Sequence, residues 1–321
     1  MRIITVKGIA RTEKIGKVAI TIRSFDLQSP SMEKLRKNCD VVYINSTGHR
    51  LSENELCSIL HDVEGVIAGT EEITEVVMRE SGKLKVISRV GVGLDSIDLE
   101  YAKKQHILVK NTPESPAISV AEHTVALIFS LIKNIPQYNF QVRNSDFTVR
   151  PASNLCAKKV GIIGLGRIGS RVATILECTG CKILFFDPFV KSDMPTSWNR
   201  MDTLEALMAD SDIVTIHSTA YPSEKPLIEE KLLSHAKKGI IIINTARGSL
   251  IDEHALITSL ENGQVAAAGF DVFSVEPYKG DLLKFSQVIV TPHVGSNTIE
   301  ARMQMEEEAV NNLIKGLKVR S

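Results

Sequence analysis

The chain has 321 residues, a length that suggests about two domains. Its 43% hydrophobic and 24% charged residues are typical of a globular protein. Lys and Arg together number 38, as do Asp and Glu, so the formal net charge is zero. A balanced charge predicts no overall attraction to nucleic acid or to an anionic membrane.

Neither a targeting segment nor a metal site is expected. The apolar stretch in residues 1–8 is too short and too interrupted for a signal peptide. Residues 117–132 are the most apolar segment, but they include an acidic residue and a histidine, which favours a buried helix over a membrane span. The five cysteines are odd in number and scattered, and Cys178 and Cys181 are interpreted as small buried hydrophobes. We expect a cytoplasmic protein without a structural metal.

The first third of the chain alternates apolar runs with helix-like stretches, which predicts a parallel sheet covered on both faces. The strands are predicted at residues 18–22, 41–44, 65–68, 85–88 and 107–110. The helices between them are predicted near residues 32–37, 53–60, 73–79 and 99–104. This pattern indicates a small flavodoxin-like domain.

After Pro113 and Pro116, a long apolar helix is predicted at residues 117–134, followed by an irregular polar arm or lid at residues 135–157. A second strand–helix series then begins. Its six strands are predicted at residues 160–164, 183–187, 213–217, 240–244, 267–270 and 288–291. Six such strands favour a doubly wound nucleotide-binding domain. A final helix at residues 299–317 is expected to pack back on the first domain.

A glycine pattern, GxGxxG, joins the first strand of the second series to a helix predicted at residues 167–178. Gly164 would permit a tight turn, Gly166 would let a pyrophosphate approach the backbone, and Gly169 would let helix and strand pack closely. The helix N-terminus offers N–H groups and partial positive charge to phosphate. The alternative, a glycine-rich turn without a ligand, is disfavoured by the strand–turn–helix context.

Asp187 closes the second strand of this series, near the position where dinucleotide-binding domains carry an acidic residue for the ribose hydroxyls. Its carboxylate would repel a 2′-phosphate, and the next residues, Pro188 and Phe189, supply no cation. The sequence therefore predicts NAD rather than NADP.

Three polar side chains follow later strands. Arg247 can hold a carboxylate with two hydrogen bonds. His293 can exchange a hydroxyl proton, because imidazole changes protonation state near neutral pH. Glu276 can orient that imidazole and stabilise its protonated form.

Each of the three has a structural alternative when it is considered alone. Arg247 could be an ion-pair partner, Glu276 a surface charge and His293 a capping residue. Their convergence at strand ends beside a nucleotide motif favours an active site. His217 is expected only to border the cofactor, and His123 is interpreted as a packed histidine.

These segments resemble the signature blocks of the D-isomer-specific 2-hydroxyacid dehydrogenases, and the nearest branch is that of the phosphoglycerate dehydrogenases. The similar blocks lie at residues 89–98, 111–122, 164–169, 244–248, 271–277 and 292–295. The resemblance runs from about residue 17 to residue 316. It implies a nucleotide domain at residues 113–297, inserted in a substrate domain formed by residues 1–112 and 298–321.

The resemblance implies an NAD-dependent enzyme that transfers hydride between nicotinamide and C2 of a small 2-hydroxy or 2-oxo acid. In the family pattern Arg247, Glu276 and His293 are catalytic, and Asp271 orients the nicotinamide amide. The implied cofactor contacts are Gly164, Gly166, Arg167, Ile168, Gly169, Asp187, Ser218, Thr219, Thr245, Ala246, Asp271 and Gly295. The implied substrate contacts are Arg89, Val90, Gly91, Val92, Gly93 and Arg247. A homodimer through the nucleotide domain and the 135–157 arm is also implied.

Some positions depart from the family pattern. Thr219 stands in place of a proline, and Glu224 in place of a threonine near the cofactor. A phosphate-binding arginine of some phosphoglycerate dehydrogenases is replaced by Gly69. Arg89 matches a second such position, and Arg23 and Arg150 are the candidates to compensate for the missing arginine.

Several functions stay open on the sequence alone. The substrate could be 3-phosphoglycerate, or glyoxylate and hydroxypyruvate. A phosphite dehydrogenase on the same fold is an alternative, and an NAD-sensing, corepressor-like binding protein is an alternative of another class. Formate is disfavoured, because that branch carries glutamine where Glu276 stands.

Overall fold

The computed structural model describes residues 14–190, 194–219 and 225–320. The chain divides into two compact units. The first combines Met1–Pro116 with Ile299–Ser321, and the second comprises Ala117–Thr298. Each unit has its own parallel sheet.

The first unit contains a five-stranded parallel sheet in the order β2-β1-β3-β4-β5. Its strands are β1 (Lys17–Ile20), β2 (Asp40–Ile44), β3 (Gly65–Ala68), β4 (Val86–Arg89) and β5 (Leu108–Lys110). Its helices are α1 (Pro30–Asn38), α2 (Glu53–Leu60), α3 (Glu75–Glu80), α4 (Leu99–Lys104) and α11 (Ile299–Arg320). This strand order is the flavodoxin-like one.

The four short helices of this unit begin where side chains satisfy backbone N–H groups that have no partner within the helix. Ser29, Ser52, Thr74 and Asp98 each accept a hydrogen bond from a backbone N–H in the first turn of α1, α2, α3 and α4, respectively. Apolar residues between these caps then bury one face of each helix against the sheet.

The long C-terminal helix α11 belongs to the first unit. Its buried face includes Ala309 and Leu313, which share a core cluster with Val18 and Ile20 of β1. The Ser88 hydroxyl donates a 2.8 Å hydrogen bond to the Ala309 carbonyl. Gly65 leaves room for this packing, since a side-chain carbon there would lie 2.7 Å from Leu313.

The second unit contains a seven-stranded parallel sheet in the order β12-β11-β10-β9-β6-β7-β8. Its strands are β6 (Lys159–Ile163), β7 (Lys182–Phe186), β8 (Asn199–Arg200), β9 (Ile213–Ile216), β10 (Ile240–Asn244), β11 (Val265–Phe270) and β12 (Val288–Val290). Its α-helices are α5 (Pro116–Ile132), α6 (Ile135–Arg143), α7 (Arg167–Glu177), α8 (Leu204–Asp210), α9 (Glu230–Ser234) and α10 (Glu253–Glu261), where α5 starts at the boundary residue. Two doubly wound α/β units, as the sequence predicts, are thus confirmed.

Two expectations about the secondary structure of this unit were wrong. Part of the arm predicted to be irregular, residues 135–157, forms the helix α6, because Pro136 is compatible with a first helical turn. Asn134 separates α6 from α5 by adopting a left-handed conformation, with φ of 52°. The sheet also has seven strands instead of the six expected. The two-residue strand β8 was not predicted, because its residues, Asn199 and Arg200, are exposed and polar.

Buried apolar side chains dominate both faces of the second sheet. One cluster joins α5 to β6 and β7, and the other joins β9, β10 and β11 to the helices α8, α9 and α10. Cys181 is buried, as expected, but Cys178 is exposed, because it lies at the C-terminal end of α7 and faces solvent.

Within the described ranges, no single helix is long and apolar enough to cross a membrane. The consecutive helices α5 and α6, bent by 60°, reach the necessary length and composition only as a pair.

Candidate active site

The glycine pattern forms a tight turn between β6 and α7. Gly164 has φ of 89°, and a side-chain carbon there would lie 2.8 Å from the backbone nitrogen of Ser218. A side-chain carbon on Gly169 would lie 2.1 Å from the Gly164 carbonyl oxygen. Both positions therefore require glycine for close packing, whereas the same carbon on Gly166 would meet open space.

No side chain caps the N-terminus of α7, in contrast to α8 and α10, which Thr203 and Asp252 cap. The residue at that position is Gly166, which leaves open space in front of the first helical turn. A close backbone approach, open space and an N-terminal helix end are the features that a pyrophosphate needs. The residues present therefore fit a dinucleotide.

Asp187 follows β7 and links this strand to the glycine turn. One carboxylate oxygen accepts a 2.8 Å hydrogen bond from the backbone N–H of Leu165, and the other accepts one of 2.8 Å from that of Phe189. Arg200 is nearby but donates to the backbone carbonyls of Asp187 and Val190. The carboxylate is thus fixed beside the turn, with lone pairs remaining for further donors.

The end of β9 underlies the same turn. The backbone N–H of His217 donates to the Ile163 carbonyl, and the His217 ring lies 2.9 Å from the Thr215 hydroxyl. Burial lowers the pKa of His217 to about 3, so its imidazole is neutral at physiological pH. Ser218 is half-buried and Thr219 is exposed, whereas Glu224 lies outside the described residues.

Arg247 follows β10 at the carboxyl edge of the sheet. The Asn244 side chain shapes this segment by donating to the Arg247 carbonyl and accepting from the Ala246 N–H. The Arg247 guanidinium is half-buried and donates to the Ala246 carbonyl at 2.7 Å. Thr245, buried beside it, hydrogen-bonds Thr124 of α5 at 2.9 Å.

The loop after β11 brings Glu276 to His293. One oxygen of Glu276 lies 3.0 Å from His293 Nδ1, and the other accepts the backbone N–H of Phe273 at 3.0 Å. The pair is accessible, since 49% of the His293 side chain and 38% of the Glu276 side chain are exposed. The imidazole is therefore oriented through Nδ1, and a reactant can reach it.

Asp271 organises the turn that carries His293. The residue is 2% exposed, and its carboxylate accepts hydrogen bonds from the Thr291 hydroxyl and from the backbone N–H groups of Val294 and Gly295. Burial opposes ionisation, but these bonds and one from His123 outweigh it and lower the pKa of Asp271. Asp271 is therefore a fixed carboxylate in this unit.

His123 and Thr291 belong to this network, which the sequence reasoning missed. His123 Nε2 lies 3.0 Å from the Thr291 hydroxyl and 3.5 Å from an Asp271 oxygen. The available signal was a polar side chain within an otherwise apolar helix, but it was interpreted as packing alone.

Tyr278 supports the Glu276 loop from the other side. Its ring stacks on Phe273 with centroids 4.2 Å apart, and its hydroxyl donates to Glu253 of α10. Burial, reinforced by Glu253, raises the pKa of Tyr278 to about 12. The hydroxyl thus stays protonated and holds the loop to α10.

In the first unit, the predicted substrate loop, residues 90–93, follows β4. Gly91 has φ of 126°, and its N–H donates to the Thr112 hydroxyl at 2.7 Å. The Arg89 guanidinium occupies the space where a side chain on Gly91 would begin, and it donates to the Val90 carbonyl. Arg23 of this unit is exposed, as is Arg150 of the second unit.

Across residues 14–190, 194–219 and 225–320, no group of three or more His, Cys, Asp or Glu side chains is arranged to hold a metal ion.

Comparison with known proteins identifies a family and several relatives that this chain resembles. Residues 125–295 match the family model described as D-isomer specific 2-hydroxyacid dehydrogenase, NAD binding domain. D-3-phosphoglycerate dehydrogenase of Bacillus subtilis is 38% identical over 270 residues, covering 82% of this chain and 51% of its own length. The chain thus spans about half the length of several curated relatives that it matches.

Other relatives are matched over nearly their whole length. Hydroxypyruvate reductase of Thermotoga maritima is 34% identical over 281 residues, covering 85% of this chain and 91% of its own. The crystal structure of Aquifex aeolicus D-lactate dehydrogenase, complexed with NAD and lactic acid, has 28% identity and a TM-score of 0.79. That likeness covers 92% of this chain and 93% of the other.

Proposed function

The chain belongs to the family of D-isomer specific 2-hydroxyacid dehydrogenases, and from this premise we propose that it oxidises or reduces C2 of a small 2-hydroxy or 2-oxo acid with NAD. The observation that carries the proposal is the 3.0 Å contact between Glu276 and His293 Nδ1. This pair lies at the carboxyl edge of the same sheet as the dinucleotide turn, where open α/β sheets bind ligands.

Each catalytic side chain has one task in this proposal. Glu276 accepts a hydrogen bond from Nδ1–H of His293, which leaves Nε2 to take the substrate hydroxyl proton during oxidation and to return it during reduction. Arg247 holds the substrate carboxylate with its guanidinium. In the first unit, the N–H groups of Val90 and Gly91 already donate to Ala68 and Thr112, so those of Val92 and Gly93 are the loop donors that would bind an acid. When bound, the nicotinamide ring would accept hydride from C2 of the hydroxy acid or donate hydride to C2 of the oxo acid.

The Asp187 carboxylate favours NAD over NADP. Its position beside the glycine turn suits hydrogen bonds from ribose hydroxyls and would place a negative charge next to a 2′-phosphate. Arg200 does not counter this preference, because its guanidinium donates to two backbone carbonyls.

A homodimer formed through the second unit is part of the proposal, as is a cytoplasmic location. The arm and α6 expose large apolar side chains, among them Phe140, Phe147 and Val149, which are 69%, 77% and 84% exposed. Surfaces of this kind commonly mark protein interfaces.

Light scattering after size-exclusion chromatography tests the dimer and should give a molar mass twice that of one chain. The double variant Phe147→Asp, Val149→Asp should reduce the measured mass to that of one chain.

A substrate panel tests the activity. NADH oxidation is measured with hydroxypyruvate, glyoxylate, pyruvate and 2-oxoglutarate, and NAD reduction with 3-phosphoglycerate and with phosphite. We expect turnover of at least one 2-oxo acid, abolished in His293→Ala. NADH binding without turnover of any acid would contradict the proposal, and a partner captured only with NADH would then favour a sensing protein.

A further inference from the structure

Glu71 is a buried carboxylate at the carboxyl edge of the first unit's sheet. The residue is buried, with 3% of its surface exposed. One oxygen accepts the backbone N–H of Gly69 at 2.9 Å and also the hydroxyl hydrogen of Thr21. Among the residues that the structure describes, the partners of this carboxylate are Gly69 and Thr21, and neither is a cation. A buried charge without a cationic partner is costly, which suggests a role other than stability.

The location of Glu71 coincides with the topological switch point of this sheet. The chain leaves β1 for β2 on one side and returns to β3 on the other, so β1 and β3 are neighbours. Thr21 directly follows β1 and Gly69 directly follows β3, and the carboxylate bridges the two strand ends. In sheets of this strand order, ligands bind outside the carboxyl ends at this point.

The substrate loop of the proposed function starts at the adjacent strand end. Ala68 of β3 pairs with Arg89 of β4, and the Val90 N–H donates to the Ala68 carbonyl at 2.8 Å. Glu71 and residues 90–93 therefore lie on the same edge of one sheet. An acid bound by its carboxylate at Val92 and Gly93 would therefore lie at the edge that also carries Glu71.

Glu71 also occupies the space that a side chain at position 69 would need. A side-chain carbon on Gly69 would lie 3.0 Å from the second oxygen of Glu71 and 3.0 Å from Ile22. A side chain at residue 69 would therefore require Glu71 or Ile22 to shift. At this edge the chain thus carries the Glu71 carboxylate as an acceptor and, at residue 69, a glycine instead of a cation.

We propose that Glu71 determines the substrate class, selecting 2-hydroxy and 2-oxo acids with a hydroxyl group at C3 and disfavouring those with a phosphate there. The inference rests on the proposed function. A hydroxyl can donate a charge-assisted hydrogen bond to the carboxylate. A phosphate dianion would meet a like charge in a poorly solvated place, which is strongly unfavourable.

The kinetic test compares hydroxypyruvate with 3-phosphohydroxypyruvate in the full chain with NADH. We expect the unmodified protein to prefer hydroxypyruvate by at least about 100-fold in kcat/KM. Glu71→Gln keeps an acceptor oxygen for Gly69 and Thr21 but removes the charge, and it should narrow that preference by about tenfold or more. A preference for the phosphorylated acid, or an unchanged ratio in Glu71→Gln, would overturn the inference.

Arg23→Gln is the matched control, since Arg23 is an exposed cation two residues beyond Thr21. The ratio should be unchanged or should rise in this variant, because losing a cation cannot help a phosphate. If Arg23→Gln instead raised phosphorylated-acid turnover as much as Glu71→Gln does, Glu71 would not be the determinant.

A binding measurement separates this inference from the proposed activity. Isothermal titration calorimetry of the NAD-loaded protein with D-glycerate and with 3-phospho-D-glycerate should show tighter binding of D-glycerate. In Glu71→Gln, the ratio of the two dissociation constants should be smaller. That result without any turnover would support the inference and contradict only the proposed activity. Equal or tighter binding of the phosphorylated acid would contradict the inference, even if turnover of 2-oxo acids is observed.

Discussion

Asp271 accepts a 2.8 Å hydrogen bond from the backbone N–H of Gly295, and through this bond a buried carboxylate fixes the turn that presents the catalytic histidine of the proposed mechanism. His293 lies inside that turn with φ of 54°, a left-handed conformation that is uncommon for histidine. Such a conformation persists only when the surroundings impose it. The bonds from Val294 and Gly295 to Asp271 supply that constraint.

Asp271→Asn should destabilise the protein and disorder the His293 turn. The amide nitrogen would face backbone donors, which should cost about 1–3 kcal/mol at pH 7. The pKa of Asp271 is lowered in the fold, so its ionised form stabilises the native state above the unfolded value of about 3.9. That contribution is lost as the pH falls through the lower, folded value.

Urea unfolding at pH 7 and at several pH values below about 4 would measure this effect. The difference between the unmodified protein and Asp271→Asn should be largest at neutral pH and shrink in acid. A difference that stays constant across this range would show that the carboxylate charge does not contribute. Ser296→Ala, nearby in the chain, is the control and should change stability little.

His293→Ala should lower kcat by about 10²–10⁴-fold, the usual contribution of a general acid–base group. NADH binding, followed by fluorescence, should be retained because His293 is not part of the glycine turn. Glu276→Gln keeps an acceptor for the Phe273 N–H but loses the charge beside Nδ1, so it should lower kcat less than His293→Ala. Turnover close to the unmodified value in His293→Ala would remove this residue from the mechanism.

Asp187→Ala should weaken NADH binding and reduce the discrimination against NADPH. Asp187→Ala loses both the ribose acceptor and the hydrogen bond from Leu165. The dissociation constants of NADH and NADPH are therefore measured for Asp187→Ala and for a second variant, Asp187→Asn. The asparagine retains an acceptor for Leu165, which separates loss of charge from loss of the turn. Arg200→Ala serves as the control, and an unchanged NADH-to-NADPH ratio in both Asp187 variants would refute the assignment.

Tyr278→Phe should loosen the loop that carries Glu276. Loss of the hydroxyl bond to Glu253 should cost about 1 kcal/mol of stability and lower kcat several-fold, whereas the stacking on Phe273 remains. The pKa of Tyr278 is raised to about 12, so the native state binds this proton more tightly than the unfolded chain does. Its stabilisation is present below pH 10 and is lost between about pH 10 and pH 12.

Thermal unfolding between pH 9 and pH 12 would test this alkaline effect. The melting temperature of the unmodified protein should fall more steeply above pH 10 than that of Tyr278→Phe. Parallel curves would exclude Tyr278 as the titrating group. Phe140→Tyr, on the exposed face of α6, provides a control for an added surface tyrosine.

Elements with strong periodicity and clear caps were predicted closely. The bounds of β3, β10, α2 and α4 in the structure equal those expected from the sequence. Their apolar runs end at turn or capping residues, so local chemistry alone fixes them. The helix α6 and the strand β8 were missed because none of their residues is buried, so neither shows the periodic buried face by which a sequence pattern is recognised.

The chemistry of the chain is determined largely by the sequence itself. Glycines at 164, 166 and 169, the acid at 187 and the Arg247, Glu276 and His293 order follow from residue type and spacing, and they indicated a family that the comparisons confirm. Tertiary structure alone decided which groups share hydrogen bonds. Asp271 bonds the His293 turn, and Glu71 bridges the ends of β1 and β3, because strands distant in sequence end at one edge of a sheet. The local sequence pattern does not specify which strand ends become neighbours in the sheet.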